Sequence, residues 1–262
     1  TGQHREMLDQ VLKLFEINPD YDLNIMKLEQ DLFDLTTNIL NKIKSVYFEF
    51  KPDNVIVHGD TTTSFAAALA AFYQKISVFH VEAGLRTGNL YSPWPEEGNR
   101  KLTSVFADYH FAPTESSKNN LLFEGVSERK ILVSGNTVID ALQLIMRKIE
   151  NDNKFKNVLI NSIKDSGFLK IDSKFILVTG HRRENFGKGF LSICKALKIL
   201  AKNNPNINIL YPIHLNPKVR NPVIKFLSGI SNIKLVRPFQ YEEFILIMSK
   251  SYIILTDSGG IQ

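Results

Sequence analysis

Cysteine is almost absent: Cys194 is the one thiol in 262 residues. No disulfide can close within the chain, so a reducing, cytoplasmic setting is the default expectation. Cys194 falls on the apolar side of a helical pattern and reads as a buried, inert thiol. There is no uninterrupted run of 18 apolar residues and no basic-then-apolar leader, which argues against membrane insertion or export. The six histidines, at 4, 58, 80, 110, 181 and 214, form no HxxxH or HExxH grouping. A metal centre is therefore not expected, although His58 and His80 with Asp60 or Glu82 come nearest to one. A GxSxG elbow is missing, which removes the usual hydrolase triad. The glycines at 180, 187 and 189 match neither the Walker A nor the dinucleotide spacing. Nor is charge strongly one-sided: 32 basic against 27 acidic residues leave a formal +5. The basic residues are scattered, so nucleic acid is not the expected partner. The densest group, Arg182, Arg183 and Lys188, sits in a glycine-bearing loop beside a histidine and suits an anionic small molecule such as a nucleotide.

What is present is an ordinary globular composition, 44% hydrophobic and 23% charged. From residue 51 short apolar runs alternate with amphipathic stretches. VIVHGD (55–60), ISVFHVEAG (76–84), YHFAPT (109–114) and ILVSG (131–135) read as strands, with helices predicted at 62–73, 96–106, 115–124 and 137–149. Several runs are continuous rather than alternating, as expected of parallel strands covered by helices on both faces. Residues 151–173 turn polar and carry one weak helix at 155–165, which marks the entry to a second domain. Then FILVTG (175–180), INILYPIH (207–214), NIKLVRP (232–238) and YIILTDSGG (252–260) resume the alternation, with helices at 188–202, 217–228 and 240–250. The expected domains are 1–165 and 166–262, both α/β. Residue 1 leads at once into a helical pattern at 3–15, and the last residues stop just after a strand, so a chain truncated at both ends is expected.

Ligands of open α/β sheets sit beyond the carboxyl ends of the strands, and polar residues cluster there. His58, Gly59 and Asp60 end one run; His80, Glu82, Gly84 and Arg86 end the next. SPWPEEGNR (92–100) brings Glu96 and Glu97 to a helix start, where one of them can serve the helix dipole and the other a ligand. Carboxylates at 60, 82 and 96, drawn from separate elements, can converge, and like charges close together raise at least one pKa, which suits proton transfer. In the second half, His181, His214 and the TDSGG turn (256–260) occupy equivalent strand ends, the last as a candidate phosphate site.

The strings QHREMLDQ (3–10), HGDTTT (58–63), HVEAGLRTG (80–88), PWPEEGNR (93–100), GNTVIDA (135–141), TGHRREN (179–185), YPIHLNP (211–217) and LTDSGGIQ (255–262) closely resemble the non-hydrolysing bacterial UDP-N-acetylglucosamine 2-epimerases. The resemblance runs from the first residue to the last. It implies two Rossmann-like domains in the glycosyltransferase-B arrangement. It also implies reversible interconversion of UDP-N-acetylglucosamine and UDP-N-acetylmannosamine by elimination of UDP and re-addition, without NAD or metal, to supply surface polysaccharide. A homodimer activated by a second substrate molecule is the family's common state.

By the same resemblance Asp60, Glu82 and Glu96 match the family's catalytic carboxylates, with acid and base unassigned. His181 matches a histidine beside the diphosphate, Ser258, Gly259 and Gly260 a phosphate-binding turn, and Phe244 a residue flanking the uracil. Gln3, Glu97, Arg182 and His214 lie in stretches associated with the regulatory substrate site, although Glu6 stands where the family often has glutamine. The rival expectations are a hydrolysing epimerase that releases UDP and N-acetylmannosamine, a glycosyltransferase of the same architecture, and a non-catalytic sugar-nucleotide-binding fragment.

Overall fold

The computed structural model describes residues 1–2, 5–26, 30–180, 187–214 and 216–258. The chain divides into two compact units, Thr1–Asp140 and Ala141–Gln262.

The first unit holds helices α1 (Arg5–Leu14), α2 (Leu32–Phe50), α3 (Thr62–Tyr73), α4 (Glu96–Phe106) and α5 (Glu115–Phe123), with strands β1 (Asn54–His58), β2 (Ser77–Val81), β3 (Tyr109–Ala112) and β4 (Ile131–Val133). The strands form one parallel sheet in the order β1-β2-β3-β4. Each crossover therefore steps the same way, and right-handed crossovers that all step one way put all their helices on one face. Burial follows: Val57, His80 and His110 are paired across the strands and buried, while Ile56, Tyr109 and Leu132 on the other face are exposed. Helices on both faces were the expectation for these runs; the monotonic strand order is why one face is covered among the described residues.

Alanine makes that covered face close-packed. Ala66, Ala68 and Ala71 of α3 have no exposure, and the Tyr47 hydroxyl of α2 donates to the Ala67 carbonyl at 3.3 Å. Helix α2 had no counterpart in the sequence reading. Its start is a capping box: Asp31 accepts from the Asp34 N–H at 2.8 Å and Asp34 accepts from the Asp31 N–H at 3.4 Å, a device worth about 1 kcal/mol.

The second unit holds most of α6 (Thr137–Asn151), which spans the division, then α7 (Asn153–Asp165), α8 (Lys188–Asn203), α9 (Pro217–Leu227) and α10 (Tyr241–Lys250), with β5 (Phe175–Thr179), β6 (Asn208–Pro212), β7 (Ile233–Val236) and β8 (Ile253–Thr256). Its parallel sheet runs β7-β6-β5-β8. Here the chain reverses: β5 to β7 step one way, and α10 carries the chain back past β5 to β8. Helices thus land on both faces, and every residue of β5 is buried. The division at 140/141 lies earlier than the 165/166 boundary read from composition. Within the polar stretch 151–173 lies α7, which is held inside the second unit: Arg237 donates to Glu243 of α10 at 2.8 and 2.9 Å and to the Ser162 hydroxyl of α7 at 3.0 Å. Cys194 is buried in this unit's core beside Phe190 and Tyr211, and burial raises its pKa, as an inert thiol requires. No described helix is long and apolar enough to cross a membrane.

Candidate functional site

In the first unit the carboxyl ends of β1 and β2 lie side by side, because His58 is in register with Val81. The chain leaves β1 through Gly59, in the left-handed region at φ 71°, and presents Asp60 just before Thr61 caps α3. It leaves β2 through Glu82, whose φ of 63° is also left-handed. For a residue with a side chain that conformation costs about 1–3 kcal/mol, and such strain concentrates at functional sites. Here it sets Glu82 Oε2 3.6 Å from His58 Nε2. Burial raises the Glu82 pKa, His58 and Arg100 oppose it, and Asp60 adds to it. Glu82 is thus a carboxyl that keeps its proton to higher pH than a free glutamate, which is what a proton-transfer group near neutral pH needs.

Beneath the two strand ends lies His80. It has no exposure, and Nε2 donates to the Gly59 carbonyl at 2.8 Å, which leaves Nδ1 as a buried nitrogen without a partner among the described residues. Burial holds its pKa down to about 4, so the ring is neutral.

Helix α4 closes this end of the sheet. Glu96 opens it, half-buried, and its Oε2 is buried with no partner among the described residues. A buried carboxylate oxygen left open is costly and points to a ligand. Glu97 is fully buried: Oε1 accepts from the Thr87 and Gly88 N–H groups at 3.1 and 3.2 Å, and Oε2 from Arg100 at 3.0 Å. Burial pushes its pKa up, but those three contacts outweigh burial and hold it below the usual range. One turn on, Asn99 donates to the Asp60 carbonyl at 2.9 Å, and Arg100 grips the Asp60 side chain. The preceding loop depends on Gly84, at φ 86°, where an added Cβ would meet the Ser117 carbonyl oxygen at 2.2 Å. Arg86 then closes on Glu124 at 2.7 Å and on Ser104 at 3.0 Å.

In the second unit the strand order reverses between β5 and β8, and a crevice opens where helices diverge at such a switch point. Thr179 donates to Thr256 across the two strand ends at 2.6 Å, and Thr256 in turn accepts from the Ser258 N–H at 3.0 Å. Gly180 follows β5, its carbonyl accepting from the buried Tyr211 hydroxyl at 3.1 Å. Ser258 is thereby fixed, nearly buried, at the switch point.

The structure therefore brings Asp60, Glu82, Glu97 and the start of α4 at Glu96 to one end of the first sheet. It places Ser258 at the switch point of the second and half-buries Phe244 in the first turns of α10. His214 follows β6, exposed, with Nδ1 accepting from the Asn216 N–H at 3.1 Å. Gln3, His181, Arg182, Gly259 and Gly260 lie outside the described residues. Two participants carried no role in the sequence reading: Arg100 and Asn99. The spacing of Arg100, four residues after Glu96 and three after Glu97 on a helix, is the signal that could have found it.

A family model described as UDP-N-acetylglucosamine 2-epimerase matches residues 1–262. The UDP-N-acetylglucosamine 2-epimerase of Campylobacter jejuni is 60% identical over 262 residues, covering 100% of this chain and 68% of the relative. That of Escherichia coli K12 is 55% identical, covering 100% and 69%. Among solved structures, UDP-GlcNAc 2-epimerase from Neisseria meningitidis bound to UDP-GlcNAc matches with a TM-score of 0.91 at 56% identity, covering 99% of this chain and 69% of that one.

Proposed function

The chain belongs to the UDP-N-acetylglucosamine 2-epimerase family, and from that membership we propose the reaction and the residues that serve it. The reaction is the reversible C2 epimerisation of UDP-N-acetylglucosamine to UDP-N-acetylmannosamine. A base takes the C2 proton and the C1–O bond to UDP breaks, leaving a 2-acetamidoglucal. A proton then returns to C2 from the opposite face as UDP adds back at C1. Electrons balance without an oxidant or reductant, so the chemistry asks for no hydride carrier such as NAD.

Two proton transfers on opposite faces need two groups, one deprotonated to take the C2 proton and one protonated to return it. We assign them to the carboxylates that end β1 and β2: Asp60, ion-paired by Arg100, and Glu82, raised by burial. Glu96, with its buried open oxygen, is placed as the third carboxylate against substrate. In the second unit, Ser258 is assigned to the UDP phosphates together with His181, Gly259 and Gly260, and Phe244 to the uracil. A proton-donating histidine beside the diphosphate stabilises the charge that develops as UDP leaves. Gln3, Arg182 and His214 are assigned to regulatory substrate binding, whereas Glu97, buried with both oxygens occupied, is assigned to holding Arg100. A homodimer in the cytoplasm, feeding surface polysaccharide synthesis, completes the reading.

The observation that carries it is the pair of carboxylates at adjacent strand ends, one gripped by a guanidinium and one not. Chromatography of an incubation with UDP-N-acetylglucosamine tests it. An equilibrium mixture of the two intact UDP-sugars is the expected result; free N-acetylmannosamine with stoichiometric UDP overturns it in favour of the hydrolysing reaction.

A further inference from the structure

Helix α4 does more than supply Glu96. On its inward face Arg100 spends its guanidinium on two carboxylates. Nε and Nη2 both approach Asp60 Oδ2, at 2.9 and 2.7 Å, and Nη1 donates to Glu97 Oε2 at 3.0 Å. The other oxygen of Glu97 is occupied by the Thr87 and Gly88 N–H groups. The result is one continuous chain of contacts from the 87–88 backbone through Glu97 and Arg100 to Asp60. Asn99 adds a second tie from the same helix to the Asp60 carbonyl. Asp60 Oδ1 is the one oxygen of that carboxylate without a partner among the described residues.

We propose that Arg100 is the positioning residue of this site: it clamps Asp60 Oδ2, with Glu97 and the 87–88 backbone as its anchor, so that Oδ1 is the oxygen presented to substrate. This rests on the epimerase reading. An ordinary helix-surface ion pair is excluded by burial, since the Arg100 side chain is 14% exposed and that of Glu97 not at all. A surface pair at that spacing contributes little and tolerates exchange. A buried fork shared between two carboxylates does not, because lysine offers a single point charge where arginine offers separate donors in a plane. The clamp also fixes which lone pairs of Asp60 face outward, and displacements of about 1 Å in such a group cost on the order of 100-fold in rate.

The test compares Arg100→Gln, Arg100→Lys, Arg100→Ala and Glu97→Gln with the unsubstituted protein. For Arg100→Gln the expected result is a kcat lower by about 100-fold with KM for UDP-N-acetylglucosamine changed by about twofold or less. Arg100→Lys falls between, Glu97→Gln loses about tenfold, and millimolar guanidinium chloride partly restores Arg100→Ala. An Arg100→Gln protein whose kcat per folded molecule stays within about twofold of the parent overturns the clamp, as does a loss confined to KM. If the unsubstituted protein does not turn over, the epimerase reading fails on its own. The clamp is then judged by the crystal structure of Arg100→Gln: a displaced Asp60 carboxylate supports it, an unmoved one overturns it.

Discussion

Arg100 places two of its nitrogens, at 2.9 and 2.7 Å, on a single oxygen of Asp60, a residue 40 positions earlier in the chain. Glu82, at the end of the next strand, has no such contact among the described residues, and burial raises its pKa. Two carboxylates at adjacent strand ends thus stand in different surroundings, one ion-paired to Arg100 and one raised by burial.

Removing the proton from that system is therefore expected to stop it. Glu82→Gln keeps the shape of the side chain but cannot ionise, and we expect kcat to fall by about 100- to 10,000-fold while the protein stays folded. Turnover within tenfold of the parent would remove Glu82 from the mechanism. Steady-state kinetics alongside circular dichroism decides this.

The loop that carries Arg86 and Thr87 hangs on Gly84. Its left-handed φ of 86°, with a virtual Cβ 2.2 Å from the Ser117 carbonyl oxygen, leaves no room for a side chain. Gly84→Ala is expected to lower stability by about 3 kcal/mol or more, read from urea unfolding. Gly88→Ala is the control: φ is also positive, but nothing lies within 4 Å of the virtual Cβ, so the cost is that of the backbone alone, about 1–2 kcal/mol. Equal losses at the two positions would contradict the close-approach argument.

His80 and His110 face each other across β2 and β3, both buried, and burial holds each pKa down to about 4. Below about pH 6.5 the unfolded chain takes up protons there that the folded chain refuses. Stability is therefore complete above that pH and is lost as pH falls toward 4, by at most about 3 kcal/mol per histidine. Urea unfolding at pH 7 and at pH 4.5 measures it, and His110→Gln should flatten the slope. A variant with the parent's pH dependence would contradict the assignment.

Glu243 is the structural counterpart in the second unit. Buried, and with Arg237, Ser162 and the Gln240 N–H as partners, it is held below the usual carboxylate range because these contacts outweigh burial. Glu243→Ala removes the contacts that tie α10 to α7, while the exposed Arg237 guanidinium it leaves turns to solvent, at an expected cost of about 2 kcal/mol. The exposed Lys118–Glu128 pair is the comparison, and Glu128→Ala is expected to unfold as the parent does. A thermal shift of similar size in both would contradict it.

All eight strands of the described residues were legible because parallel strands read as continuous apolar runs, and β5, buried at every residue, is the clearest case. The coverage of their faces was not legible, since it follows from strand order: a monotonic sheet in the first unit and a reversing one in the second. Helix α2 announced itself only through Leu35, Ile39 and Tyr47 at helical spacing behind an Asp–Asp capping box, a fainter signal than the serine or threonine form. The carboxylates of the site stood out because burying an acid at a strand end is costly without a use. Arg100 did not. An arginine in a helix beside glutamates reads as a solvated charge until the fold sets it against Asp60.

The most direct test of the account is proton NMR of the protein with UDP-N-acetylglucosamine in deuterated water. Breaking and remaking the C2–H bond predicts a UDP-N-acetylmannosamine product carrying deuterium at C2. Epimer that keeps its original C2 proton, or the absence of any epimer, would contradict proton transfer through Asp60 and Glu82.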